Sequence, residues 1–257
     1  MNPPFTSTLL DSDRIGYQRA TRPVFIRRAS RGQVPKSVLG RWLANDRLYV
    51  HAYVGAIGRV LGSLELPDGV VGRETVNTRL FSWLVDALVG LRREEGFFLD
   101  AASEWDIDIS VLDTDDDGRV PKAEKLPGLR QFEVIFAALA PPSPTAPLPW
   151  WEAAVVFFGT ERCYLDAWTF ARDELKGDGQ GDADGGALRR ALIPNWSSNE
   201  FASFVNEIGA VLDDTVDMVA EDVRAELVDR ALSVWRRMLM AEEAFWPAMK
   251  DEAAGTA

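Results

Sequence analysis

The chain has 257 residues, 47% of them apolar, which is enough to bury one substantial core without a second domain. A net charge of −12 excludes nucleic-acid backbones and anionic membrane surfaces as partners, because both need clustered Lys and Arg. One cysteine, Cys163, excludes an internal disulfide framework, and one histidine, His51, removes most transition-metal sites.

Along the chain, residues 1–20 are poor in periodic apolar positions and are expected to form a loosely attached tail. The opening MNPPFTSTLLDSDR lacks a basic segment followed by an apolar one, and no apolar run reaches the roughly 18 residues of a membrane span, so a cytoplasmic location is expected. Helical periodicity predicts segments near 37–63, 73–104, 127–140, 149–176, 198–216 and 219–250, with no strand pattern between them. The breaks are Leu66-Pro67-Asp68-Gly69, the acidic stretch 106–118, the proline tract 141–147 and the Gly/Asp-rich 177–186, which is expected to be a mobile loop. Pro149 suits a first helical turn, and Ser197 or Ser198 suits a helix start. The predicted organisation is one all-α domain over residues 21–250 with a C-terminal tail at 251–257.

Three of these helices each carry one carboxylate in the middle of an apolar, aromatic-rich stripe. The stripes are Trp42-Asp46-Tyr49-Tyr53, Phe157-Glu161-Tyr164-Trp168 and Trp235-Leu239-Glu242-Trp246. Steps of three and four residues share a helix face, so each acid points toward packing instead of water. A carboxylate there is costly unless hydrogen bonds or a cationic ligand compensate, and three on separate helices suggest a shared pocket.

The segment Gly40-Arg41-Trp42-Leu43-Ala44-Asn45-Asp46-Arg47-Leu48-Tyr49 resembles the WL-x-QD-x-x-Y signature of the TenA-like proteins. Thr160-Glu161-Arg162-Cys163-Tyr164-Leu165-Asp166-Ala167-Trp168 is similar to that family's central helix, and Glu242-Glu243-Ala244-Phe245-Trp246 to its closing E-x-x-FW motif. Ile193 to Phe201 resembles the link between its fifth and sixth helices. The resemblance runs from about residue 22 to 250. It implies a heme-oxygenase-like helical bundle, a homodimer or homotetramer, no metal or organic cofactor, and hydrolysis of an amino group from an aminomethylpyrimidine.

Carried over position by position, the resemblance makes Asp46 the holder of the aminopyrimidine and Tyr49 an aromatic packed on its ring. Glu242 becomes the general acid/base. Tyr164, Trp42, Trp196 and Thr160 become substrate-binding residues. The departure is at the nucleophile: the family cysteine lies four residues before the tyrosine matched by Tyr164, and Thr160 stands there. The resemblance is therefore to a cysteine-less subgroup associated with aminomethyl- or formylaminomethyl-pyrimidine, with Glu161 acting beside Glu242. Alternatives are a non-catalytic small-ligand-binding protein of the same fold and an enzyme of specialised metabolism acting on another amine or amide.

Outside this pattern, Cys163 reads as a small buried residue and His51 as structural. The family's heme-binding relatives use a histidine near the chain start, where this chain has none, and a diiron site would need several. Asp113 to Glu124 satisfies the twelve-residue calcium-loop pattern, with acids at positions 1, 3, 5 and 12 and Gly118 at position 6. Pro121 and Leu126-Pro127-Gly128 interrupt the exiting helix, so a solvated acidic loop is expected, with Ca2+ as the alternative.

Overall fold

The computed structural model describes residues 3–69, 74–139 and 147–249, and every regular element among them is helical. In chain order these are α1 Phe5–Ser12, α2 Arg14–Thr21, α3 Val24–Ala29, α4 Lys36–Ser63, α5 Val76–Glu104, α6 Pro127–Ala138, α7 Trp151–Asp173, a π-type turn Leu188–Leu192, α8 Ile193–Trp196, α9 Asn199–Met218 and α10 Glu221–Phe245. All six predicted helices are present with ends shifted by a few residues. The proline tract at 141–146, the predicted helix ends at 140 and 250, and the C-terminal tail lie outside the described residues.

Local chemistry accounts for the helix starts. Thr75 and Thr78 close a reciprocal capping box at α5, each hydroxyl accepting from the other's backbone N–H. Ser198 Oγ accepts from Phe201 N at the start of α9. Pro127 occupies the first turn of α6, where its missing N–H costs nothing. Pro149 instead belongs to the turn before α7, next to Leu148 in the left-handed region (φ 51°).

The chain start departs from expectation. Residues 5–21 are two helices, not a loose tail. Phe5 and Leu9 are buried, and the Phe5 ring lies 5.3 Å from Trp151. The backbone N–H and hydroxyl of Thr6 both donate to the Asp213 carboxylate on α9, at 2.8 and 3.0 Å. α2 packs on α10 and α7, burying Gly16 and Ala20, and Trp246 Nε1 donates to Ala20 O at 2.7 Å.

The Gly/Asp-rich loop also differs from the mobile segment expected. Asp182 pairs with Arg189 at 2.7 Å, and Asp184 is fully buried, accepting from Gly186 N and Leu188 N. Backbone bonds from Lys176 N to Ser30 O and from Ala183 N to Gly32 O tie the loop to the end of α3. The π-type turn follows, immediately before Pro194, whose ring would clash with the Arg190 carbonyl in a regular α-helix.

α10 packs on α7 and α6, α4 on α6 and α5, and α7 on α9. Two glycines set close approaches. A Cβ on Gly128 would fall 2.2 Å from Phe245 N, bringing α6 against α10, and one on Gly40 would fall 2.1 Å from Asp108 O. Among the described residues no helix is long and apolar enough to cross a membrane.

Candidate functional site

A cavity of about 560 Å³ lies between α4, α5, α7, α9 and α10, with the α8 link and Phe132 of α6 completing its wall. Four carboxylates that are not exposed line it: Asp46 from α4 and Glu242 from α10, both buried, and Glu94 from α5 and Glu161 from α7, both half-buried. Aromatic side chains make up much of the remaining lining, among them Tyr49, Tyr53, Tyr164, Trp196, Phe201 and Phe245. Asp86, Arg93 and Glu200 are exposed at its mouth. Among the described residues no Lys or Arg forms an ion pair with any of the four acids.

Seven of the eight expected site residues line this cavity: Asp46, Tyr49, Thr160, Glu161, Tyr164, Trp196 and Glu242. Trp42 does not. It is completely buried one layer behind, stacked on Trp246 at 5.7 Å and on Tyr164 at 6.5 Å and edge-on to Trp196 at 5.7 Å, so it backs the cavity-lining rings Tyr164 and Trp196. The stripe places it a full turn before Asp46, where the helix has already passed the end of the cavity.

The electrostatics follow from crowding acids in an apolar shell. Asp46 accepts from Tyr164 Oη at 3.3 Å, yet burial and the nearby Glu94 hold its carboxyl well above the ordinary range. Glu242, 4% exposed, is pushed up by burial, Asp46 and Glu161. Glu161 rises to about 7 through burial, with Tyr53 opposing the rise and Glu94 adding to it. Glu94 also rises to about 7 through burial, against hydrogen bonds from Trp196 and Asn195. The Trp196 indole N–H donates to Glu94 Oε1. Tyr53 Oη is 1% exposed and has no hydrogen-bond partner, although it faces Glu161 and Thr160.

Thr160 lies in the cavity wall, but its hydroxyl donates to Phe157 O at 3.1 Å. Cys163 is fully buried on another face of α7 and does not line the cavity. Burial, with Glu242 and Asp166 nearby, pushes its thiol well up, so the thiolate is suppressed. His51 sits outside, 3.1 Å from Glu95 Oε1 on an exposed face shared with Arg47.

Sequence reasoning missed Glu94, though the signal was of the same kind. Leu84-Ala87-Leu91-Glu94-Phe98 is an apolar stripe at helical spacing with one acid in it. The adjacent Glu95, paired with Arg47 at 2.9 Å, gives the pair the look of a solvated charge run.

The acidic loop 113–124 is irregular and mostly exposed, with tight turns closed by Gly118 N to Asp115 O and Glu124 N to Pro121 O. Asp115 Oδ1 accepts from Asp117 N and Arg119 N, and Glu124, the twelfth position of the calcium pattern, pairs with Arg41 at 2.9 Å. Among the described residues no group of three or more His, Cys, Asp or Glu is arranged to hold a metal ion.

The fold has close counterparts among solved structures. A TenA homologue from Pyrococcus furiosus superposes with a TM-score of 0.67 at 18% identity, covering 94% of this chain and 98% of that one. A TenA family transcription regulator from Silicibacter sp. gives 0.64 at 14% identity over 94% of both chains. A TenA homologue from P. horikoshii OT3 gives 0.63 at 13% identity over 95% and 99%. The chain thus has the all-α, heme-oxygenase-like fold of the TenA homologues. No protein-family profile matches the sequence, and no curated protein matches it either.

Proposed function

We propose that this protein hydrolyses the C–N bond of an aminomethylpyrimidine or its formyl derivative, a reaction of the thiamin-salvage type, with paired carboxylates instead of a nucleophilic cysteine. The observation that carries this reading is the convergence of four carboxylates, none ion-paired with a described Lys or Arg, in one aromatic cavity. Such a cavity is complementary to a flat, protonated amine: acids neutralise the cation, and ring faces hold it through stacking and cation–π attraction.

In this reading Asp46, steadied by Tyr164, accepts from the exocyclic amine of the pyrimidine and pairs with its protonated ring nitrogen. Tyr49 packs on the ring. Glu161, held near neutrality, takes a proton from water while Glu242, whose carboxyl burial, Asp46 and Glu161 also raise, supplies one to the leaving nitrogen. The water oxygen bonds to the methylene carbon and the C–N electron pair leaves on ammonia. With the formyl derivative, water attacks the formyl carbon and formate and the amine depart. Tyr53 Oη, buried and unpartnered, is free to hold the water beside Glu161.

The test is release of ammonia or formate from aminomethylpyrimidine, its formyl derivative and thiamin, with wild type beside Glu242→Gln. Turnover of one compound that falls by about 100-fold or more in the variant supports the reading. Pyrimidine binding without turnover of any compound would favour a non-catalytic ligand-binding protein, for which the occupied Thr160 hydroxyl speaks. Neither binding nor turnover would favour another amine or amide substrate.

A further inference from the structure

The cavity holds more acid than one aminopyrimidine uses. Asp46, Glu161 and Glu242 are assigned above to the ring and the scissile nitrogen, which leaves Glu94 unexplained. It is fixed by the Trp196 indole N–H, with Asn195 as a second donor. It lies on α5 one turn beyond Gly90, which is exposed at the mouth, and its charge is felt at Asp46 and Glu161. Around it stand Trp196, Tyr164, Phe201 and Phe98, with ring centroids 5.3 Å apart for Tyr164 and Trp196 and 6.1 Å apart for Phe98 and Trp196. A half-buried carboxylate in an aromatic-lined cavity can receive an ammonium group. The volume points the same way, since about 560 Å³ falls within the range of sites for drug-sized ligands and leaves room beyond a single substituted ring.

We infer that Glu94 and Trp196 form a second cation-binding position in the cavity, so that the preferred ligand carries a further ammonium group, separated from the one held by the inner three acids and lying toward the mouth. This rests on the reading of the cavity as a site for a cationic amine. The arrangement selects diamines over monoamines. The second ammonium donates to the Glu94 carboxylate and lies against the Trp196 and Tyr164 faces, while the first reaches Asp46, Glu161 and Glu242.

Calorimetric binding of benzylamine and of 1,3-bis(aminomethyl)benzene, which differ by one aminomethyl group on the same ring, tests this in wild type and Glu94→Gln. The diamine is expected to bind wild type at least about tenfold tighter, as one desolvated charge-assisted contact allows. In the variant that advantage falls to about twofold or less, whatever the change in benzylamine affinity. A far-ultraviolet circular dichroism spectrum and melting temperature like those of wild type show that the variant is folded. Equal binding of the two amines by wild type, an advantage that survives Glu94→Gln, equal loss of both, or binding of neither would each overturn the inference. Turnover of aminomethylpyrimidine is read separately. Diamine selectivity without turnover keeps the second cation position and removes the hydrolase reading, whereas turnover without selectivity does the reverse.

Discussion

Burying four carboxylates in one aromatic cavity stores a pH-dependent cost at individual residues. A carboxyl whose folded-state pKa is raised binds protons more readily in the native chain than in the unfolded one, so its folding penalty is absent below the unfolded value near 4 and grows as pH rises toward the folded value. Glu94 and Glu161, both raised to about 7, therefore predict that the ligand-free protein loses stability between about pH 4.5 and 7. Glu161→Gln should remove one such penalty and raise the melting temperature at pH 8 while changing it little at pH 4.5. A Tm that falls at pH 8 would show that the carboxylate is compensated in the native state.

Cys163 makes the opposite kind of residue-level prediction. Its suppressed thiolate and absence from the cavity mean that iodoacetamide should leave the folded chain unlabelled at pH 8, and that Cys163→Ala should retain turnover within about threefold. Labelling that parallels loss of activity would put the thiol back into the chemistry. Trp42, misplaced by sequence reasoning, shows the limit of a stripe: spacing identifies the face of a helix, but how far along that face the cavity extends depends on what packs opposite.

At the scale of elements, the long helices were legible because their apolar periodicity runs over several turns and their caps are local. The short ones were not. α1 buries only Phe5 and Leu9, and α2 buries Gly16, Ala20 and Thr21, residues too small to register as an apolar face although they let α2 approach α10 and α7 closely. Helices of eight residues draw their stability from such tertiary contacts, which a linear pattern does not contain. The α6–α10 contact gives a direct test of close packing. Gly128→Ala should destabilise the fold by roughly 3 kcal/mol, because its Cβ would meet backbone atoms of α10 that cannot yield. Gly58→Ala, on an exposed face of α4 with nothing within 4 Å, should stabilise it by about 0.5–1 kcal/mol. Thermal denaturation of the two variants checks both signs.

For the whole molecule, the bundle brings together residues that lie nearly 200 positions apart, and this convergence is what the sequence alone expressed only partly. Three of the four acids were identifiable because an acid inside an aromatic stripe is conspicuous. Glu94 was hidden by its neighbour Glu95, which pairs with Arg47 and contacts the His51 ring. In the calcium-like loop the twelfth position, Glu124, pairs with Arg41. The net charge of the chain and the unpaired acids of its cavity have the same sign, so a cationic substrate meets a favourable field from encounter to binding.

The paired-carboxylate mechanism is tested most directly by the pH dependence of kcat/KM for C–N hydrolysis, measured for wild type and Glu161→Gln. With Glu161 as the base, activity should rise as pH increases through about 7, where that carboxyl loses its proton. In the variant the rate should drop by about 100-fold or more and the rise near 7 should disappear. A rise near 7 that persists in Glu161→Gln at an undiminished rate would contradict the mechanism.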